Sequence, residues 1–107
     1  MRSTVHVDIL VPLADNDGRP FPHAAFHTFE HFLGVLVGGF TRHGDVDGAW
    51  RSPTSGELVR DRSRSYAITL DAEAAEEQIE RIDGFIRRYF RQEAAFLELT
   101  PSRATAF

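Results

Sequence analysis

The chain has 107 residues, 42% of them hydrophobic, which suits one domain with its own core, and we expect a single domain over 1–107. Sixteen acidic and twelve basic residues give a formal net charge of −4, without the overall basic character of nucleic-acid-binding proteins. Cysteine and lysine are absent, which excludes disulfides, thiolate metal sites, cysteine nucleophiles and Schiff-base chemistry. Without a long apolar run or a secretory leader pattern, we expect a cytoplasmic protein that does not enter a membrane.

The first predicted element is a strand from Ser3 to Leu13. Its residues alternate between apolar and more polar types, the period of a strand with one buried face. His6 and Asp8 fall on the less apolar face and are candidate ligand-binding residues. The next segment, Ala14 to Phe21, has the composition of a loop. Its Asp-Asn-Asp-Gly run predicts a turn, because the ligands of a calcium loop spread over about twelve positions.

A helix is predicted from Pro22 to the Gly38-Gly39 pair. One of its sides is wide, apolar and core-facing, and it carries Phe26, Phe29, Leu33 and Leu36. Pro22 suits the first turn of a helix, where its missing N–H costs nothing. The glycine pair suits the left-handed end of a helix.

A different side of this helix carries the histidine row His23, His27 and His31, with Glu30 beside it. Residues four apart are neighbours on a helix, so His27 and His31 could chelate a divalent metal such as zinc, with Glu30 as the catalytic base. The run from His27 to His31 locally resembles the inverted zinc motif of the pitrilysin-like metalloproteases. It also resembles the metal-binding helix of the S-ribosylhomocysteine lyases, although those enzymes use cysteines that this chain lacks.

These local resemblances imply a small metal-dependent hydrolase or lyase. A catalytic zinc normally takes three protein ligands, so a third would have to come from elsewhere in the chain. The other interpretation, which we favour, is an exposed or half-buried histidine row on an ordinary helix.

Two strands joined by a turn are predicted next. Phe40 to Arg51 is predicted as a strand that is irregular at its glycines, and Glu57 to Leu70 as the strand that returns. Three arginines of the returning strand recur at every second position and project to one side as a candidate anion site: Arg60, Arg62 and Arg64. We favour a solvated strand edge, where charges oppose aggregation.

The last part of the chain predicts a helix and a strand. Asp71 is predicted to cap the helix, which runs from Ala72 to Arg91 with an apolar stripe at helical spacing. A short strand from Ala94 to Leu99 follows, and Pro101 is predicted to end it. The tail 100–107 is expected to be loose or paired with another subunit.

The predicted order strand, helix, strand, strand, helix, strand is typical of an α+β, ferredoxin-like βαββαβ fold. Such a fold has a four-stranded antiparallel sheet with two helices on one face. The alternation puts His6, Asp8 and Leu10 on the other, open face, and Trp50 is a candidate to join them. We expect a second subunit, a ligand or the long hairpin to cover that face.

Three short steps resemble a family of small uncharacterised bacterial ferredoxin-like proteins. They are Gly38-Gly39-Phe40-Thr41, Gly48-Ala49-Trp50 and Arg91-Gln92-Glu93. The resemblance implies the fold and assigns no activity. It also implies that Gln92 and Glu93 are site residues, and it weighs against the zinc site because the family's helices here are glutamate-rich without an obligatory histidine pair.

The sequence therefore favours a small binding or interaction module with an unidentified ligand, a homodimer through the open sheet face. Its candidate ligand-binding residues are His6, Asp8, Trp50, Arg60, Arg62, Gln92 and Glu93. A small-molecule ligand fits this interpretation, and we expect no membrane or nucleic-acid partner. The alternative is the metal-dependent enzyme that uses His27, Glu30 and His31.

Overall fold

The computed structural model describes residues 1–105. The elements are β1 (Arg2–Pro12), α1 (His23–Val37), β2 (Thr41–Arg51), β3 (Leu58–Asp71), α2 (Ala75–Tyr89) and β4 (Phe96–Ala104). The strands form an antiparallel sheet in the order β2-β3-β1-β4. The predicted ferredoxin-like α+β fold is confirmed.

The core lies between the two helices and one face of the sheet. Val7 pairs with Ile68 and Ile9 pairs with Tyr66, and all four side chains are buried together with residues of both helices. Phe29 of α1 packs its ring 5.3 Å from the ring of Tyr66. Burial of such apolar and aromatic area is the main stabilising contribution to a fold of this size.

Helix α1 ends as the glycine pair predicts. Gly38 adopts a left-handed conformation with φ 88°, and its N–H donates to the carbonyl of Gly34 at 3.0 Å. Helix α2 begins later than predicted, at Ala75, and Asp71 is the last residue of β3. The Asp71 carboxylate accepts the N–H of Glu73 at 3.1 Å, so it caps the turn that precedes α2 and not the helix.

Strand β4 corrects the prediction for the end of the chain. It runs from Phe96 to Ala104, and Pro101 lies inside it opposite Val5 of β1. A proline is tolerated there because β4 is an edge strand, where a missing N–H need not interrupt a ladder. Most of the tail predicted to be loose is therefore strand, and positions 106–107 lie outside the described residues.

The hairpin of β2 and β3 extends past the rest of the sheet. β1 ends at Pro12, which pairs with Ser63, so the first residues of β3 pair with β2 alone among the strands of the described chain. We call residues 47–62 the hairpin arm. A β-bulge between Arg42 and Gly44 shifts the register near its base, and Gly44 has φ 104°. No helix within residues 1–105 is long and apolar enough to cross a membrane.

Candidate functional site

Glu30, the predicted catalytic base, faces the sheet. Its Oε2 accepts hydrogen bonds from the hydroxyl of Tyr66 at 2.8 Å and from Nη1 of Arg42 at 3.0 Å, and its side chain is 14% exposed. Burial, followed by the bond to Glu30, raises the pKa of Tyr66, so its hydroxyl remains a donor. Glu30 thus joins α1 to β2 and β3.

The predicted zinc site does not fit these contacts. His27 and His31 are exposed on α1, while Glu30 is held by Tyr66 and Arg42. Within residues 1–105, no three side chains of metal-binding type lie close enough together to hold a metal ion. The chelating pair therefore has no third ligand in the described part of the chain, and we derive no metal chemistry from it.

Two arginines of the β3 stripe stand directly opposite aspartates of β2. Nε of Arg62 donates to Asp47 at 2.8 Å, and Nε of Arg64 donates to Asp45 at 2.9 Å. The guanidinium of Arg64 also lies over the ring of Phe26, 4.4 Å from its centroid. The bond from Arg64 lowers the pKa of Asp45 and raises the pKa of Arg64. Two arginines of the stripe are thus already paired, which weakens the case for a free anion-binding stripe.

His6 and Asp8 lie together on the open sheet face. Nε2 of His6 is 3.0 Å from Oδ1 of Asp8, and both side chains are partly exposed. His6 also lines a shallow cavity of about 650 Å³ at the end of α1, which we call the open-face groove. The groove is further lined by His43 at the bulge, by Thr69 and by all four residues of the Gly-Gly-Phe-Thr step. The first of the three family-like steps therefore belongs to this groove.

A larger cavity of about 930 Å³ lies between the hairpin arm, the loop after β1 and the segment after α2. We call it the hairpin cleft. Four of the sequence-predicted ligand residues line it, namely Trp50, Arg60, Arg62 and Gln92. Trp50 is 49% exposed, so part of its indole is open to a ligand. Gly48 and Trp50 of the Gly-Ala-Trp step and Gln92 of the Gln-Glu step, which are far apart in sequence, therefore meet at one cavity.

The other predicted ligand residues do not reach the hairpin cleft. His6 pairs with Thr69 of β3, and Trp50 pairs with Val59, which lies ten positions earlier in the same strand. That separation is about 33 Å in an extended chain. Glu93 is exposed beside Gln92 and is not among the residues that line the cleft. The structure thus places four of the predicted residues at the hairpin cleft and His6 at the open-face groove, while Asp8 and Glu93 line neither cavity.

The end of α2 brings Gln92 to the hairpin cleft. Arg91 has φ 53°, a left-handed conformation that is uncommon and costly outside glycine. This turn lets the N–H of Gln92 donate to the carbonyl of Arg87 at 3.0 Å, as in a Schellman helix end. The side-chain Nε2 of Gln92 donates to the carbonyl of Phe90 at 2.9 Å. Gln92 is therefore fixed by its backbone and by its side chain.

Three aspartates of the cleft, Asp15, Asp47 and Asp61, were not predicted from the sequence. Asp15 accepts the backbone N–H groups of Asp17 and Arg19, each at 2.9 Å, and the bond from Arg19 is the main cause of its lowered pKa. These bonds confirm the predicted turn. In the sequence, the one indication that Asp61 belongs to a site is its position between Arg60 and Arg62 of the stripe.

Gly48 allows Asp61 to lie against β2. A Cβ added at Gly48 would stand 3.1 Å from Oδ1 of Asp61, the residue with which it pairs across the hairpin. A larger residue at position 48 would therefore push the carboxylate away. The lack of a side chain at Gly48 therefore leaves the space that the Asp61 carboxylate occupies.

Neither models of known protein families nor curated proteins match the chain. Among solved structures, it is similar to the divalent cation tolerance protein CutA1 of Thermus thermophilus, at 15% identity and a TM-score of 0.63, over 97% of this chain and 86% of that one. It is also similar to a phage SAM lyase in complex with S-methyl-5′-thioadenosine, at 16% identity and a TM-score of 0.66, over 100% and 95% of the two chains.

A Bacillus cereus protein related to NIF3 is 13% identical with a TM-score of 0.69, and the match covers 96% of this chain but 26% of that one. At such low identities the likeness is one of fold. The comparisons therefore show that the chain has the ferredoxin-like architecture of these proteins, and they bring no activity with it.

Proposed function

We propose that this protein is a small binding module whose ligand site is the hairpin cleft. The observation that carries the proposal is that Trp50, Arg60, Arg62 and Gln92 line a single cavity. Its volume of about 930 Å³ is in the range of small-molecule sites, roughly 300–1,000 Å³. Such sites combine apolar walls with a few polar groups, as this cleft does.

The lining suits an organic ligand with a flat or apolar part and a polar part. Pro12, Leu13 and Val59 supply apolar wall, and Trp50 offers part of its indole. The carbonyl oxygen of the Gln92 side chain is a further acceptor, since its recorded bond uses Nε2. Among the described lining residues there is no serine, threonine, histidine or lysine.

Trp50 provides the test because it is the sole tryptophan of the chain. We expect S-methyl-5′-thioadenosine, the molecule bound to the phage SAM lyase, to change Trp50 fluorescence in a saturable manner. Arg60→Gln is expected to weaken this binding about tenfold, which corresponds to the loss of one charge-assisted contact. The matched control is Arg103→Gln on β4, outside the cleft, and it should bind like the wild type. No saturable change, or equal losses in both variants, would contradict the proposal.

We further infer that the protein forms a homodimer through the open sheet face. Leu10 and Phe96 pair on that face, and Phe96 is 51% exposed. Val46, on the same face by register, is also exposed. Apolar side chains on an uncovered sheet face favour association with another surface, and a second copy supplies the same face by symmetry.

Light scattering of the purified chain tests the dimer. We expect the mass of two chains for the wild type and of one chain for Phe96→Glu, because a charge cannot be buried unpaired at such an interface. Val35→Glu is the matched control, since Val35 is exposed on α1, which packs on the other face of the sheet. A wild type that elutes as one chain at all concentrations would refute this inference.

A further inference from the structure

We propose that the dimer through the open sheet face takes up a proton on His6 of each copy, so that two copies associate more tightly in mild acid than at alkaline pH. This inference rests on the proposed dimer and names the regulation of that same surface. The partner that it requires is a second copy of this chain.

Two carboxylates lie side by side on the open face. Asp8 of β1 pairs with Glu98 of β4, and the Cβ atoms of directly opposed residues are about 4.5–5.5 Å apart. Like charges in such a pair repel each other, and water screens the repulsion while the face is open. Glu98 is exposed and takes part in none of the ion pairs within residues 1–105.

The two carboxylates adjoin the apolar pair that we expect at the dimer contact. Leu10 and Phe96 form the next pair on the open face, two positions along each strand and about 7 Å away. A stable interface buries roughly 800 Å² on each partner, far more than two side chains supply. A second copy that covers Leu10 and Phe96 therefore also covers Asp8 and Glu98, and the removal of two like charges from water opposes association.

His6 is placed to offset one of these two charges. Its Nε2 lies 3.0 Å from Oδ1 of Asp8, and its side chain is 40% exposed, so protons from solvent reach it. Histidine is the side chain whose charge ordinarily changes between about pH 5 and 8. The neighbours of His6 across the strands, Thr69 on β3 and Thr100 on β4, carry no charge.

The other ionisable groups of the open face do not take this role. Asp71 is paired with Arg2. His43 lies at the bulge of β2, on the far side of β3, and Asp61 belongs to the hairpin arm. In the described chain, His6 alone forms an ion pair or a side-chain hydrogen bond with the carboxylate of Asp8.

Protonation of His6 makes the open face complementary to itself. The cation at His6 and the carboxylate of Glu98 then occupy diagonal positions on β1 and β4, because His6 pairs with Thr100, two positions beyond Glu98. In a dimer with two-fold symmetry, a contact between two different residues is made twice. His6 of each copy can therefore meet Glu98 of the other with opposite charge. Without the proton, the positions of His6, Asp8 and Glu98 carry negative charge only, which disfavours a second copy.

The dissociation constant of the dimer tests this inference. It is measured for the full chain by sedimentation equilibrium over a series of concentrations, at pH 6 and at pH 8 and at one ionic strength. For the wild type we expect a Kd at least roughly tenfold lower at pH 6, because about two protons are bound for each dimer that forms.

Three variants assign the proton to His6, and each position is exposed or partly exposed, so the fold should be retained. His6→Asn keeps an N–H donor for Asp8 but does not titrate, so its Kd should differ less than about threefold between the two pH values. Glu98→Gln removes one like charge, so it should dimerise more tightly than the wild type at pH 8 and gain less at pH 6. His31→Asn, the matched control, removes a histidine that is exposed on α1 and should keep the wild-type ratio.

A wild-type Kd that is not lower at pH 6, or a pH dependence that survives in His6→Asn, would overturn the proton inference and leave the dimer intact. Loss of the dependence in His31→Asn as well would also overturn it, since general titration of the surface would then account for the effect. A wild type that stays monomeric at both pH values would remove the dimer and this inference together.

Discussion

Glu30 illustrates how one side chain changes the interpretation of a motif. In the sequence it stands between two histidines at chelating distance, which suggests a base beside a metal. In the structure its Oε2 accepts from Tyr66 and Arg42, so it contributes to the attachment of α1 to the sheet. Helical spacing fixes which residues are neighbours on one helix, but it does not tell which of them turns toward another element.

We predict that Tyr66→Phe lowers the free energy of unfolding by about 1.5–3 kcal/mol, the contribution of a buried hydrogen bond to a charged group. The ring is retained, so the packing of Tyr66 on Phe29 should be unchanged. Tyr89→Phe removes the same atom at a position that is 44% exposed and should change stability by less than about 0.5 kcal/mol. Urea unfolding compares the two, and equal effects would contradict the assigned role of Glu30.

The ion pair between Asp45 and Arg64 predicts how the free energy of unfolding depends on pH. The hydrogen bond from Arg64 lowers the pKa of Asp45 below its usual 3.8. A depressed carboxyl pKa contributes stability that is fully present above the unfolded value and is lost as pH falls through the folded value. The contribution of this pair should therefore be intact at neutral pH and begin to decrease as the pH falls below about 3.8.

The measurement is urea unfolding at pH 7 and at pH 3 for four proteins: wild type, Asp45→Asn, Arg64→Gln and the double variant. The coupling energy between the two positions should be favourable at pH 7 and smaller at pH 3. A coupling that is the same at both values would show that the pair is not the source of the acid dependence.

At the scale of elements, α1 is the best predicted segment because several independent signals agree along it. Its aromatic face, its proline start and its glycine end all indicate the same helix, and the structure has it at His23–Val37. β4 was predicted poorly because Pro101 was taken as a strand end. An edge strand tolerates a proline, and β4 lies at the edge of this sheet, so Pro101 by itself does not mark the end of the strand.

The glycine pair after α1 permits a matched test of backbone strain. Gly38 has φ 88°, whereas Gly39 does not require a left-handed conformation, and a Cβ at either position would meet no atom within 4 Å. We predict that Gly38→Ala destabilises the protein by about 1–2 kcal/mol through strain alone. Gly39→Ala should be close to neutral. Thermal unfolding measures both, and equal shifts in Tm would refute the distinction.

At the scale of the whole molecule, the candidate site depends on the unequal lengths of neighbouring strands in the sheet. Trp50, Arg60, Arg62 and Gln92 were predicted individually, from composition, alternation and family resemblance. Their convergence could not be predicted, because it depends on the length by which β3 exceeds β1 and on the left-handed turn at Arg91. Asp61 was missed because its role depends on the register that sets it opposite Gly48.

The hairpin arm should be the least protected part of the sheet. Its strands pair with each other, while β1 pairs on both sides with β3 and β4. A two-stranded ribbon is marginally stable by itself, so the arm should open at a much lower free energy than the core strands. In the Phe96→Glu variant without ligand, amide hydrogens of the arm are expected to exchange at least roughly a hundredfold faster than those of Val7 and Ile9.

The same measurement separates the two surfaces proposed for this protein. A ligand in the hairpin cleft should slow exchange in the arm and leave β4 unchanged, because the cleft borders β3 and not β4. Dimerisation through the open face should slow exchange at Phe96 and its neighbours even without a ligand, because β4 carries that apolar contact. An arm as protected as β1 in the ligand-free monomer would mean that the arm is stabilised by its own contacts and needs neither ligand nor partner to order it.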